Sequence, residues 1–268
     1  MLTESTHYNF TSLIENKCVC LVGPADFLEK IDNKDNLKKI NGSDVVIKIN
    51  RGLDLSEKYP HLIGKRTDIL YNTLLENCVN GGILDIEKIK QSRIKHIRTI
   101  PKSDMKGNAY PNSNNISKLS TLQKLEMLHS LGTPTTVMKH DFFTQVSRKV
   151  DCRPTTGFAA VYDILAARPK SLYITGFSFF LGGPLKGYWG GSEPGGIEEE
   201  WGHSEEVHAE RVFNSTRHVH KNMWSVFKQE ILPAKVVSMD PIMEKIFLLE
   251  KYDRNEYNKI IEDYSWGS

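Results

Sequence analysis

The stretch that decides the fold is Arg153-Pro154-Thr155-Thr156-Gly157-Phe158-Ala159-Ala160-Val161-Tyr162-Asp163-Ile164-Leu165-Ala166-Ala167, followed by Ser171-Leu172-Tyr173-Ile174-Thr175-Gly176-Phe177. The first part predicts a helix, because Pro154 lacks the N–H that a helix start leaves unpaired and Thr155 or Thr156 can cap the free amides. The second part predicts a strand that ends at Gly176. A helix start with threonine hydroxyls and a glycine can bind an anion, since its free amides and its dipole both favour negative charge. An ordinary capped helix has the same pattern, so this stretch alone leaves both interpretations open.

A second set of segments, near the N-terminus, predicts neighbouring strands. Residues 18–22 are of the buried-strand type and end at Gly23, and the β-branched run from Val45 leads to Asn50 and Arg51. If these two strands are parallel neighbours, Asn50 and Arg51 lie beside Gly23. Ligands of open α/β sheets bind in the crevice beyond such carboxyl ends.

The remaining pattern completes an α/β protein with a Rossmann-like, mostly parallel sheet flanked by helices. Further strands are predicted over 67–72, 94–100, 135–138 and 234–239, and helical segments over 26–40, 83–90, 119–131, 141–150 and 198–214. Residues 101–118 predict a loop or lid. Residues 1–16 predict a leader segment, 178–202 a mobile glycine-rich loop over the site, and 242–268 a C-terminal helical tail, all within one domain, 1–268.

Composition limits the class of protein. A chain of 268 residues with 39% hydrophobic and 25% charged residues can bury one sizeable core, and its net charge of +2 does not favour nucleic-acid binding. Four cysteines, Cys18, Cys20, Cys78 and Cys152, show neither zinc spacing nor a dense disulfide framework, which predicts free thiols in a reducing compartment. No membrane-spanning run or signal peptide is evident, so we expect a cytoplasmic protein, or one bound peripherally at a membrane surface.

Together the two sets of segments resemble the sialyltransferases, specifically glycosyltransferase family 29 and the related bacterial family 42. The strand that ends at Gly23, the following strand with Asn50 and Arg51, and the Gly64-Lys65-Arg66-Thr67-Asp68 segment resemble the large motif of these enzymes. The opening stretch resembles their small motif. The motifs occur in the right order, about a hundred residues apart, which is more specific than either alone. The resemblance covers most of residues 17–240.

The resemblance implies a donor, a fold and a set of binding residues. The expected fold is the sialyltransferase-type glycosyltransferase fold, and the expected reaction moves a sugar, sialic acid first, from a CMP-activated donor to a hydroxyl of an oligosaccharide or glycolipid acceptor. Related enzymes need no metal for the chemistry, so we expect neither metal nor cofactor besides the donor substrate. The residues expected to hold the CMP donor are Gly23, Asn50, Arg51, Thr155, Thr156, Gly157, Gly176 and, at the departing phosphate, Tyr188.

An inverting transfer needs a general base, and histidine has a suitable pKa. His218 and His220 precede a predicted helix and the closing strand, which is where the resemblance places the catalytic histidine. We rank His218 first, His220 second and His203, beside the glycine-rich loop, third. Each could equally be a packed or solvated histidine at a helix start. His218 and His220 lack convincing further ligands for a metal site.

Three departures from the family pattern leave alternatives open. Pro24 stands where an asparagine usually follows the first glycine, with Asp26 as a possible replacement contact, and Met223 and Ser225 stand where a glutamate often follows the late histidine. The helix after Thr156 also lacks the cysteine that pairs the two motifs in animal relatives. The alternatives are transfer of another CMP-sugar of the Kdo type, or an inactive relative that binds a nucleotide or glycan.

Overall fold

The computed structural model describes residues 10–31, 33–75, 82, 85–101, 121–192 and 196–265. Within them lies one seven-stranded sheet in the order β5-β4-β3-β2-β1-β6-β7, in which every neighbouring pair is parallel. Its strands are β1 (Cys18–Val22), β2 (Val45–Ile49), β3 (Ile69–Tyr71), β4 (His96–Thr99), β5 (Thr135–Val137), β6 (Ser171–Thr175) and β7 (Val237–Met239). The predicted α/β fold with a parallel, helix-flanked sheet is confirmed.

Helices connect and flank the strands. They are α1 (Phe10–Ile14), α2 (Asn33–Gly42), α3 (Gly52–Lys58), α4 (Pro60–Ile63), α5 (Ile86–Gln91), α6 (Thr121–Ser130), α7 (His140–Val150), α8 (Thr156–Ala166), α9 (Ile197–Trp201), α10 (Glu205–Phe213), α11 (His220–Val226), α12 (Pro241–Leu248) and α13 (Arg254–Ser265). A 3₁₀ turn spans Asp26–Glu29, and α11 continues into a π-helical turn over Phe227–Ile231. All five residues of β2 are buried, as expected for a parallel strand covered on both faces.

The strand order reverses between β1 and β6, and this reversal positions the site. From β1 the chain adds β2 to β5 on one side and then crosses to place β6 on the other. Val22 pairs with Thr175 across the two strands, which brings Gly23 and Gly176 together at their carboxyl ends. A Cβ on Gly23 would lie 2.2 Å from the carbonyl oxygen of Gly176, so this approach requires glycine. Open α/β sheets bind ligands at such a switch point.

Two predicted helices were wrong in extent. The segment predicted as one helix over 26–40 contains the 3₁₀ turn and then α2, because the carboxylate of Asp26 accepts the backbone N–H of Gly183 and holds the chain in a turn. The segment predicted over 198–214 is divided into α9 and α10. Gly202 ends α9 with a left-handed φ of +67°, and the Ser204 side chain caps the start of α10.

Of the segment predicted as a glycine-rich loop over 178–202, residues 178–192 and 196–202 are described, and the loop prediction is wrong for Ile197–Trp201, which form α9. The part over 178–192 packs against the sheet. It forms turns and an isolated antiparallel bridge between Ala25 and Pro184. Leu181, Leu185 and Trp189 are buried in the main core. The segment therefore covers the carboxyl end of β1 through defined contacts. The predicted loop over 101–118 lies outside the described residues except for Pro101.

Candidate functional site

A cavity of about 490 Å³ lies at the carboxyl ends of β1, β2 and β6, within the range of small-molecule sites. The residues expected from the sequence that line it are Asn50, Thr155, Thr156, Gly157, Gly176, Tyr188, His218 and His220. Two further expected residues do not line it. Gly23 lies behind Gly176, and the guanidinium of Arg51 faces Asp54, with its Nε 3.2 Å from a carboxylate oxygen.

The start of α8 forms one wall of this cavity. Thr155 is the N-cap, and its hydroxyl oxygen accepts the backbone N–H of Phe158 at 3.3 Å. Thr156 and Gly157 follow in the first turn and are buried. A Cβ on Gly157 would lie 2.5 Å from the ring of Phe177, so glycine lets the helix start approach β6 closely. The first amides of an eleven-residue helix therefore border the cavity, where they favour a negatively charged ligand.

Asn50 enters the cavity from the end of β2 with unusual backbone geometry. Its φ is +49°, a left-handed value that asparagine tolerates better than most residues. The backbone N–H donates to the carbonyl of Tyr71 at 2.6 Å, and the side-chain oxygen accepts the N–H of Thr73 at 3.3 Å. These contacts with the last residue of β3 and with Thr73 just beyond it hold Asn50 at the cavity wall.

Tyr188 reaches the same wall from the glycine-rich segment. Burial raises the pKa of its phenol, while a hydrogen bond with the side chain of Asn50 and the nearby charge of Arg51 oppose that rise. A raised pKa keeps the hydroxyl protonated at neutral pH, so Tyr188 can donate a hydrogen bond to an anion. Arg51 thus acts on the site through Tyr188, although it does not line the cavity.

His218 has a fixed tautomer. Its Nδ1 lies 2.7 Å from the backbone carbonyl of Arg153, which can only accept, so Nδ1 carries the proton and Nε2 carries the lone pair. Burial lowers the pKa of this ring, assisted by Arg217 and Arg153 and opposed by the hydrogen bond to the Arg153 carbonyl. The imidazole is therefore neutral at neutral pH and has the form that a general base requires.

His220 lines the cavity but is buried more deeply. Its ring lies 4.5 Å from that of Phe180, burial lowers its pKa to about 4, and a hydrogen bond to the backbone of Val212 opposes that shift. Nε2 of His220 is buried and has no hydrogen-bond partner. His203 does not line the cavity; its Nε2 lies 3.3 Å from Nδ1 of His208. The geometry favours His218 among the three.

Several side chains that the sequence analysis did not assign to the site also line the cavity, among them two arginines and a tryptophan. Arg153, Arg217 and Trp201 all line it. Arg153 opens the decisive stretch and Arg217 precedes His218, so proximity to these motifs was an available signal for both. Trp201 stood out in the sequence only as an aromatic residue at the end of the glycine-rich segment.

The two departures at Pro24 and Met223 have structural roles. Pro24 lines the cavity, and its carbonyl accepts the N–H of Leu185 at 2.6 Å. Asp26 does not replace the missing asparagine, because it does not line the cavity and its oxygens face the N–H of Gly183 and the hydroxyl of Tyr257. Met223 directs its sulfur at the N–H of Thr155, 3.4 Å away, and so packs α11 against the start of α8.

The described part of the chain contains three of the four cysteines. Cys18, Cys20 and Cys152 are free there, and Cys78 lies outside it. No group of three His, Cys, Asp or Glu side chains within the described residues could hold a metal ion. None of the helices in those residues has both the length and the apolar character to cross a bilayer.

No protein-family model and no curated protein sequence matches this chain. Among solved structures, the fold is similar to that of the sialyltransferase CST-II, crystallised as a point variant in complex with CMP. The TM-score is 0.50, the alignment covers 83% of this chain and 80% of that chain, and the sequence identity is 13%. At this identity the likeness concerns architecture, and the chain shares a sialyltransferase-like fold.

Proposed function

We propose that this protein is a glycosyltransferase that moves sialic acid from CMP-sialic acid to a hydroxyl of an acceptor glycan. The observation that carries the proposal is the cavity at the switch point, where the start of α8 and the neutral imidazole of His218 meet. An anion-binding helix start and a general base are the two elements that displacement of a nucleotide by a hydroxyl requires. The CMP in the sialyltransferase structure supports the choice of nucleotide.

The proposed reaction is a direct displacement at the anomeric carbon. Nε2 of His218 accepts the proton of the acceptor hydroxyl while that oxygen forms the new bond to the sugar. The bond between the anomeric carbon and the phosphate oxygen breaks, and both of its electrons leave with CMP. Amides at the start of α8 and the hydroxyl of Tyr188 donate hydrogen bonds to the departing phosphate, so the negative charge that develops there is stabilised by groups already in place.

A second candidate function is nucleotide or glycan binding without transfer. Met223, which stands where the resemblance places a glutamate after the late histidine, favours it, because its sulfur faces the backbone of Thr155 and supplies no acid or base. In that case the cavity would bind CMP, and donor would not be consumed.

Transfer of a Kdo-type sugar from its CMP donor would use the same cavity and the same base.

Two measurements test the proposal. Thermal unfolding with CMP, CDP, UDP and GDP should show stabilisation by the cytidine nucleotides in preference to the others; at a hundred times the dissociation constant the gain is about 2.7 kcal/mol. Release of CMP from CMP-sialic acid and from CMP-Kdo then separates a transferase from a binding protein and identifies the sugar. Stabilisation by CMP without release would favour the binding protein, and no preference for cytidine nucleotides would contradict both the transferase and a protein that binds CMP.

A further inference from the structure

Trp201 is the exposed aromatic side chain of the cavity. Within the described residues, the large hydrophobic side chains that are exposed are Leu131, Trp201, Val207, Val236 and Leu248, and of these Trp201 alone lines the cavity. The indole is 49% exposed. Burial of a large apolar surface lowers the free energy, so a ligand that covers the exposed part of this indole would bind more tightly.

The ring is held in place from one side. Trp201 ends α9, and its ring makes edge contacts with His203, at 6.0 Å between centroids, and with His208, at 5.6 Å. The interplanar angles of 72° and 82° place both imidazoles nearly perpendicular to the indole. An aromatic ring that is fixed along one side and open to solvent elsewhere can receive a flat apolar ligand surface without a large loss of side-chain entropy.

A continuous series of contacts connects Trp201 with the proposed base. His208 and Val212 lie four residues apart on α10 and therefore on the same helix face, one turn or about 5.4 Å from each other. The backbone of Val212 hydrogen-bonds His220, and the ring of His220 is stacked 6.4 Å from that of His218. His208 lies behind the cavity, whereas Trp201, Val212, His220 and His218 all line it, so the solvent-facing indole and the base border the same cavity.

We propose that Trp201 is the stacking platform for a pyranose ring of the acceptor glycan, and this inference rests on the proposed transferase function. One face of a pyranose presents C–H groups and suits an aromatic surface, while the hydroxyls around it remain available for hydrogen bonds. The donor phosphate requires the start of α8 and Tyr188, which is buried, whereas the acceptor must enter from solvent past the exposed rim. A sugar stacked on Trp201 places the acceptor chain on the wall that leads to His218.

The test compares Trp201→Ala with Trp201→Phe, which retains a ring, and with Leu248→Ala as the matched control. Leu248 is 77% exposed on α12 and does not line the cavity. Each protein is incubated with azide-tagged CMP-sialic acid on an array of glycans that end in galactose, glucose, N-acetylglucosamine, heptose or sialic acid, and the acceptor KM is then measured for the glycan labelled best. CMP affinity and release of CMP to water without acceptor are measured in parallel.

We expect Trp201→Ala to raise the acceptor KM about tenfold or more, because truncation of a central aromatic contact has effects of this size. Trp201→Phe should restore most of the affinity, and CMP affinity and release to water should stay at the wild-type level in all variants. An unchanged KM in Trp201→Ala would overturn the inference, and so would a wild type that releases CMP to water but labels no glycan. A wild type that neither binds CMP nor releases it would instead overturn the proposed function, and with it this inference.

Discussion

The carboxylate of Asp240 accepts the backbone N–H of Gly176 at 3.2 Å and, through its other oxygen, that of Met243 at 2.8 Å. Asp240 follows β7 and is the N-cap of α12, and it is completely buried. Gly176 ends β6 with a φ of +76° and lines the cavity. One carboxylate therefore stabilises both the start of a helix and the left-handed turn beside the cavity, so α12 is connected to the cavity although it does not line it.

Replacement of this carboxylate should change both stability and its dependence on pH. In Asp240→Asn, an amide group stands where one carboxylate oxygen accepted an N–H, so we expect a loss of about 1–3 kcal/mol at neutral pH, measured by urea unfolding. Weaker binding of CMP should accompany it, because the turn at Gly176 loses its acceptor. Asp240→Glu keeps a carboxylate but moves it by one methylene group, so it should not restore the wild-type free energy of unfolding.

Burial raises the pKa of Asp240 to about 6, above its usual value of 3.8. A carboxyl group whose pKa is raised in the folded state stabilises the fold most when protonated, and this contribution is lost as the pH rises through the folded value. The unfolding free energy of wild type minus that of Asp240→Asn should therefore increase as the pH falls from about 7 to about 3, by about 3 kcal/mol in all for a shift of some two units. If the difference between the two unfolding free energies is constant over this pH range, the pKa of Asp240 is not raised in the folded state.

The sheet and much of the cavity were predictable because both depend on local patterns. Strands such as β2 are continuous β-branched runs, and the ends of parallel strands meet at one edge whatever the details of packing. The tautomer of His218 was not predictable, since it depends on the carbonyl of Arg153, 65 residues away. The role of Asp26 was missed for the same reason, because its hydroxyl partner Tyr257 is 231 residues away.

Lys48 is a buried lysine in the central strand of the sheet, and it should make the free energy of unfolding depend on pH in the alkaline range. Its ammonium group donates to the hydroxyl of Ser56 and to the carbonyl of Gly64, yet burial lowers its pKa from 10.5 to about 7. A lysine with a lowered pKa stabilises the fold at high pH, and this contribution is lost as the pH falls towards the folded value. The unfolding free energy of wild type minus that of Lys48→Met should fall between pH 10 and pH 7, by at most about 5 kcal/mol. If the unfolding free energies of wild type and Lys48→Met change with pH in parallel, the pKa of Lys48 is not lowered in the folded state.

Substitutions of the two threonines at the start of α8 should distinguish helix capping by Thr155 from nucleotide binding by Thr156. Thr155→Val removes the oxygen that accepts the N–H of Phe158, so it should destabilise the protein by about 1 kcal/mol, and Thr155→Ser should restore the cap. Thr156→Val should mainly reduce the stabilisation that CMP gives, measured as the shift in melting temperature at a fixed nucleotide concentration. CMP binding that is undiminished in Thr156→Val would contradict the placement of the phosphate at this helix start.

Cysteine reactivity should distinguish buried from partly exposed thiols. Cys20 is buried in β1, and burial raises its pKa, so it should not react with a thiol reagent in the native protein at pH 8. Cys18 is partly exposed and should react first. In denaturant without reductant, all four cysteines, Cys78 included, should titrate as free thiols. A disulfide between Cys152 and either Cys18 or Cys20 in the purified protein would contradict the expected reducing compartment.

His218 should be the residue whose loss abolishes transfer while nucleotide binding survives. A positioned general base contributes on the order of a hundred- to ten-thousand-fold, so His218→Ala should lower kcat by that factor and leave CMP affinity nearly intact. Because burial lowers the pKa of His218 below 6.5, the ring remains neutral and active in weakly acidic solution. The kcat/KM profile of the wild type should therefore stay level down to about pH 6.5 and fall only below it. In His218→Ala that acidic limb should disappear along with most of the activity.

Two histidine variants serve as controls for this assignment. His220→Ala removes a ring that packs on Phe180 and hydrogen-bonds the backbone of Val212, so it should lower stability more than kcat. His203→Ala removes a ring outside the cavity and should leave kcat at saturating acceptor and the pH of the acidic limb unchanged, because the base and its acceptor, the carbonyl of Arg153, remain in place. Its contact with Trp201 should affect only the acceptor KM. Full activity in His218→Ala with a retained acidic limb would assign the base to another group. Full activity in all three single variants would exclude a histidine base and, with it, the proposed mechanism.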